Sequence, residues 1–103
     1  MNRWVLLAAV TERSALRYTP AGLPALDVVL DHESTVSQEG HARKVALQVR
    51  ALAIGSTSEQ VSQLPLGVST QFVGFLAPSR NGRGLIYHIT EVWTQPDLAS
   101  SPQ

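Results

Sequence analysis

From Arg43 to Pro65 the chain reads RKVALQVRALAIGSTSEQVSQLP, and the order of its two halves decides the fold. The first half alternates. Val45, Leu47, Val49, Ala51 and Ala53 fall on one face; Lys44, Ala46, Gln48 and Arg50 share the other. A period of two sustained from Arg43 to Ile54 marks a strand with one face toward a core and one toward water. Gly55 breaks the alternation. Ser56-Thr57-Ser58-Glu59 has the spacing of a capping box, with Ser56 as cap and Glu59 reaching back. Val61 and Leu64 lie three apart, so a short helix is predicted before Pro65 stops it.

Upstream, Ala25 to Glu33 alternates in the same way. Leu26, Val28, Leu30 and His32 share one face; Ala25, Asp27, Val29, Asp31 and Glu33 share the other. Ser34 to Ala42 is polar and reads as a loop joining this strand to the next. Before it, Thr19-Pro20-Ala21-Gly22 is a turn: Pro20 presets φ at the first central position and Gly22 suits the last. Leu16-Arg17-Tyr18 and the run after the turn are its hairpin arms. Arg3 to Arg13, with Trp4 and the β-branched Val5, Val10 and Thr11, is the first strand. Downstream, Ser69 to Ala77 and Leu85 to Trp93 are the fourth and fifth strands, joined through Asn81-Gly82, a strong hairpin signal helped by Gly84. Thr94 to Gln103 is polar with two prolines and is expected to be a flexible tail, which leaves one domain over residues 1–93.

Three strands, a short helix and two more strands is the order of a five-stranded Greek-key barrel of the oligonucleotide/oligosaccharide-binding (OB) type. The class is all-β, with the short helix between strands three and four. A two-sheet sandwich is the alternative, but five strands are few for one.

Composition bounds the function. The chain of 103 residues is 44% hydrophobic, enough for one modest core. It has no cysteine, which excludes a disulfide framework, a thiol nucleophile and cysteine-ligated metal, and fits a reducing cytoplasm. The apolar run Trp4 to Val10 is too short for an export signal, and Glu12 and Arg13 close it. No stretch approaches the ~20 apolar residues of a membrane span. His32, His41 and His88 have no ligand-like spacing, so no metal site is expected. There is no G-x-S-x-G elbow. Gly82-Arg83-Gly84 lacks the third glycine and the lysine of a phosphate loop. No catalytic constellation and no cofactor are expected.

A single-strand binder needs cations for phosphates and flat rings for bases. The net charge is zero, with 8 basic and 8 acidic residues, but the signs are separated along the chain. Asp27, Asp31, Glu33 and Glu39 are followed by Arg43, Lys44 and Arg50, and then by Arg80 and Arg83. Arg17-Tyr18 supplies a cation and a ring together, and His41 is a weaker stacking group. An OB barrel binds through the face of its second and third strands and its first and fourth hairpin loops. Arg17, Tyr18, His41, Arg43, Lys44, Arg50, Arg80 and Arg83 fall on that face and those loops. Trp4, Phe72, Phe75 and Trp93 are expected in the core, at a barrel cap or at a subunit contact; Tyr87 fits either role.

Asn2-Arg3 opening the first strand, Leu16 to Pro24 (LRYTPAGLP) and Val29 to Ser34 (VLDHES) resemble the primosomal replication protein N (PriB) family. Gly74-Phe75-Leu76 and Asn81-Gly82 fit as well, and the match runs to about Trp93. The resemblance implies an OB-fold homodimer related to bacterial single-stranded DNA-binding protein. It implies a non-enzymatic, metal-free role in replication restart, with single-stranded DNA and primosome proteins, including the restart helicase PriA, as partners. Carried over by position, it suggests Arg17, Tyr18, Arg43, Lys44, Arg80 and Arg83 as the binding surface. The chain departs from the pattern in three places. Lys44 to Gln48 lacks the mid-strand aromatic of some members, the residue after Gly40 is His41, and the residue after His32 is Glu33. One lost base stack costs about 1–3 kcal/mol. Zero net charge and scarce rings therefore keep a second reading open, a protein adaptor of the primosome with incidental DNA contact.

Overall fold

A closed ring of strands defines the molecule. The computed structural model describes residues 1–80 and 82–93. The elements in order are β1 (Trp4–Arg13), β2 (Arg17–Tyr18), β3 (Pro24–Gln38), β4 (His41–Ile54), α1 (Ser56–Ser62), β5 (Ser69–Pro78) and β6 (Leu85–Trp93). The five long strands run β1-β5-β6-β4-β3, and β3 returns to β1. β1 closes the barrel by serving two neighbours in turn. Trp4 to Ala9 pair with β5, and Ala9 to Arg13 pair with β3 across a bulge between Val10 and Glu12. The β4–β6 contact is parallel and short, Ala51 to Ala53 against Tyr87 to Ile89. The expected all-β barrel with one short helix between its third and fourth long strands is what forms. The two-residue β2 is the short first arm of the expected hairpin across Thr19–Gly22, laid on the edge of β3.

Alternation places the core. Leu26, Val28 and Leu30 of β3, Ala51 and Ala53 of β4, Ala8 and Val10 of β1, Phe72 of β5, and Tyr87 and Ile89 of β6 all point inward and are buried. Full burial of each larger side chain stabilises by about 1.5–3 kcal/mol. Helix α1 plugs the barrel with Val61, and Leu64 beyond its end joins the same core. Arg13 fixes the plug by donating to the carbonyls of Val61 and Leu64, a cation where the helix dipole is negative.

The capping box does not form. Gly55 is the cap, at φ 76 and ψ −141, and no side chain caps the first turn. The amide and hydroxyl of Ser58 both donate to the Gly55 carbonyl, at 3.0 and 2.6 Å. The chain reverses so sharply at Gly55 that the cap falls one residue early, and the Ser56–Glu59 spacing loses its frame. The helix ends at Ser62, short of Leu64.

Ser34 to Ala42 is not a loop. β3 and β4 stay paired out to Gln38 opposite His41, and Glu39 (φ 54) and Gly40 (φ 78) make the turn, the two-residue, positive-φ form that matches strand twist. The segment is polar because this arm runs past the barrel and both its faces meet water. For the same reason Leu47, expected inward, is 42% exposed. Asn81 and the expected tail from Thr94 to Gln103 lie outside the described residues. Gly82 and Gly84 beside Asn81 both have positive φ, and Ser79 closes the β5–β6 loop by pairing its amide with the Gly84 carbonyl. Among the described residues no helix is long and apolar enough to cross a membrane.

Candidate nucleic-acid interface

The outward-facing residues of four strands line up in one row. Phe75 on β5 is opposite His88 on β6, His88 is opposite Leu52 on β4, and Leu52 is opposite Asp27 on β3. The Phe75 and His88 rings stack with centroids 4.8 Å apart and planes 6° from parallel. At the other end of the row, β2 brings Arg17 over Asp27. Its Nε donates to Oδ2 at 3.0 Å and its Nη2 to Oδ1 at 3.3 Å, a two-pronged pair. The hydrogen bond to Asp27, and then its charge, hold the Arg17 guanidinium above its ordinary pKa. Arg17, Asp27, Leu52, Ile86 and His88, with Arg80, line an open groove of about 570 Å³. Its floor is apolar, and its walls are the β1–β3 connection and the β5–β6 loop.

The expected binding residues divide by strand parity. Arg17 and Arg80 are in the groove. Tyr18 follows Arg17 on β2 and is 67% exposed. Arg83 is in the β5–β6 loop, where its amide donates to the Ser79 hydroxyl. Arg50 lines an adjoining groove of about 430 Å³ that shares Asp27 and Ile86 with the first. Arg43 and Lys44 are adjacent on β4, so they face opposite ways. Lys44, opposite Thr35, shares the outer face with Arg50, but Asp31 and Glu33 stand on that face between them. Arg43, opposite Val36, is on the other face and donates to the Gln38 side chain at 3.0 Å. His41, expected in a loop, starts β4 at the arm tip on the same face as Arg43. Arg17 and Arg80 thus line one groove and Arg50 the adjoining one, while Arg43 and His41 line neither.

Residues 2–91 match the sequence model of a family described as another single-strand binding protein family. The replication restart protein PriB of Bordetella pertussis is 49% identical over 80 residues, 78% of this chain and 75% of that one. The chain belongs to the PriB family. The solved PriB of Ralstonia solanacearum has the same architecture, with a TM-score of 0.82 at 32% identity over 91% of this chain and 97% of that one. The single-stranded DNA-binding protein of Thermus aquaticus matches in fold, with a TM-score of 0.71 at 24% identity over 91% of this chain and half of that one. The barrel of this PriB-family chain is therefore of the OB type.

His88 in the groove and Phe75 stacked behind it escaped the sequence reading of this PriB-family chain. Of the places expected for Phe75 (the core, a barrel cap or a subunit contact), the core is excluded: it is 38% exposed and stands outside on the sheet. The bulge opposite Val73 and Gly74 falls on β6, where Thr90 is the unpaired residue, so β5 alternates unbroken and Phe75, three residues after the core Phe72, faces outward. His88 has no ligand-like spacing in the sequence, but its place between Tyr87 and Ile89 on a strand turns it outward once those two face the core. Tyr87 takes the core role: it is buried, and its hydroxyl donates to the Trp4 carbonyl at 2.8 Å. Burial pushes its pKa up to about 12, against an opposing pull from Arg3. Phe72 is in the core, while Trp4 and Trp93 are half exposed, their indole N–H groups donating to Asn2 and Glu91. Among the described residues no three histidines or carboxylates cluster as a metal site would need.

Proposed function

We propose that this chain binds single-stranded DNA as a non-catalytic accessory protein of replication restart, with the Arg17–Arg80 groove as its principal site. The observation that carries the reading is the pairing of two arginines with an apolar, partly aromatic floor of Leu52, Ile86 and His88. Guanidinium groups take phosphates while the floor takes sugar and base faces, and neither demands a sequence. Arg83 follows Arg80 in the β5–β6 loop, and Arg50 continues the path into the adjoining groove. The names of the PriB relatives support the biological setting. A cytoplasmic place, alongside the restart helicase PriA and other primosome proteins, belongs to the same proposal.

The working unit is a homodimer. From Trp4 to Ala8, β1 has a strand partner only on its β5 side, since β3 joins it from Ala9 onward; on the other side the Leu7 carbonyl is 2.7 Å from His32 Nδ1. Val5 and Leu7 beside that open edge are half exposed. An edge that carries no strand and has apolar neighbours invites a second strand, and the β1 of another copy fills it. Pairing places two grooves on one particle, so a single DNA strand can engage both. Sedimentation at micromolar concentration should give a dimer, and Leu7→Arg a monomer; a monomeric wild-type chain would contradict this.

One observation favours the adaptor reading. Asp31 and Glu33 interrupt the cations of the β3–β4 face, which suits a protein partner better than a phosphate track. Anisotropy of a labelled oligothymidine of about 30 nucleotides separates the two readings. The DNA reading expects micromolar or tighter binding that weakens steeply with salt. Absence of binding at low salt would leave the adaptor role.

A further inference from the structure

We infer that the Phe75–His88 stack is a base-binding platform, on which one nucleobase lies against the free face of His88 and above Leu52. The inference rests on the single-stranded DNA reading and names where in the groove a base is held. Phe75 stacks on His88 but does not line the groove, whereas His88 does. Phe75 therefore covers one face of the imidazole and leaves the other to the cavity. Along the row the next residue is Leu52, too short to reach as high as a ring, and beyond it stands the Arg17–Asp27 pair. The space bounded by His88, Leu52 and that ion pair is flat-walled on one side, apolar below and charged on the other. A groove of about 570 Å³ lies within the ~300–1,000 Å³ of small-ligand clefts.

The platform is held before any ligand arrives. Phe75 fixes the plane of the imidazole, so little side-chain freedom remains to be lost on binding. Gly74 sets the approach of the two strands beneath: a Cβ there would lie 2.0 Å from the His88 carbonyl oxygen. Arg80 at the rim and Arg17 at the end of the row are placed to take the phosphates on either side of the base. The stacking surface that β4 lacks between Lys44 and Gln48 is thus supplied by β5 and β6. Every base has a flat face, so the site takes any of them.

The test compares oligothymidine with an abasic oligomer of equal length and charge, using the full chain and its His88→Leu variant. The wild-type chain should prefer oligothymidine by roughly 5- to 150-fold, the range that one stacked base supplies. His88→Leu should lose that preference while keeping the salt dependence, since no phosphate contact is removed. If wild type binds neither oligomer, the DNA reading falls, and this inference with it. If wild type binds oligothymidine and a folded His88→Leu binds it equally well, with the same preference over the abasic strand, only the platform is overturned. Should His88→Leu not fold, the wild-type chain still decides. The His88 ring resonances should shift upfield with oligothymidine and not with the abasic strand, and their indifference to both would overturn the proposal.

Discussion

The Arg17–Asp27 pair makes a prediction whose sign differs between its two members. The guanidinium and the carboxylate cancel as a unit, so the groove's net charge rests on Arg80. Arg17→Ala removes the proposed phosphate contact and also leaves the Asp27 carboxylate uncompensated in the groove lining. Asp27→Asn keeps an acceptor for Arg17 but removes the negative charge. On single strands each phosphate contact contributes about 0.7 to the slope of log K against log salt. Arg17→Ala with Arg80→Ala should flatten the slope by about 1.4 per groove, so that a fourfold rise in salt weakens binding about sevenfold less than in wild type. Asp27→Asn should tighten binding by a factor of about three, the effect of removing a charge some 7 Å from a phosphate in a water-like dielectric. The assay is oligothymidine anisotropy between about 50 and 200 mM salt. An unchanged slope in the double variant, or weaker binding by Asp27→Asn, would refute the reasoning.

Three further outcomes follow from the barrel itself. Gly74→Ala forces a Cβ against the His88 carbonyl oxygen, and should cost about 1–3 kcal/mol, or roughly 4–8 °C of Tm per kcal/mol in a domain this size; an unchanged melting temperature would contradict the close approach. Gly55→Ala should cost about 1–3 kcal/mol, because φ 76 with ψ −141 is a conformation that residues with a Cβ avoid; denaturant melts measure it, and a neutral result would mean that the turn into α1 is looser than it stands. Tyr87 is held neutral by burial with its pKa pushed up to about 12. Its stabilisation is full below the ordinary phenol pKa near 10 and is lost as pH rises through the folded value. Stability should fall between pH 10 and about 12, and Tyr87→Phe should remove that component; identical pH curves for the two proteins would refute the assignment.

What could be read along the chain depended on which faces are buried. Leu26, Val28 and Leu30 alternate because one side of β3 meets a core and the other meets water, so the strand was legible. The arm from Ser34 to Ala42 has water on both sides. Hydrophobicity then carries no period, and a paired hairpin looks like a loop. Gly55 hid the helix cap, because its positive φ moves the cap to a residue with no side chain. Alternation along β5 holds, so an inward Phe72 puts Phe75 on the outer face three residues later; only its partner across the sheet, His88, needed the register. The basic residues were visible, but their parity sorts them: Lys44 and Arg43 are neighbours in sequence and opposed in space. The row from Phe75 to Asp27 was not legible at all, since it exists only through the register of four strands.

The central claim is that single-stranded DNA lies in the groove between the β1–β3 connection and the β5–β6 loop. Backbone amide shifts of the isotope-labelled chain, titrated with short oligothymidine, test it most directly. The largest shifts are expected at Arg17, Leu52, Arg80 and His88, with Arg43 and His41 little changed. Shifts concentrated at the arm tip or on the open edge of β1, with the groove silent, would contradict it.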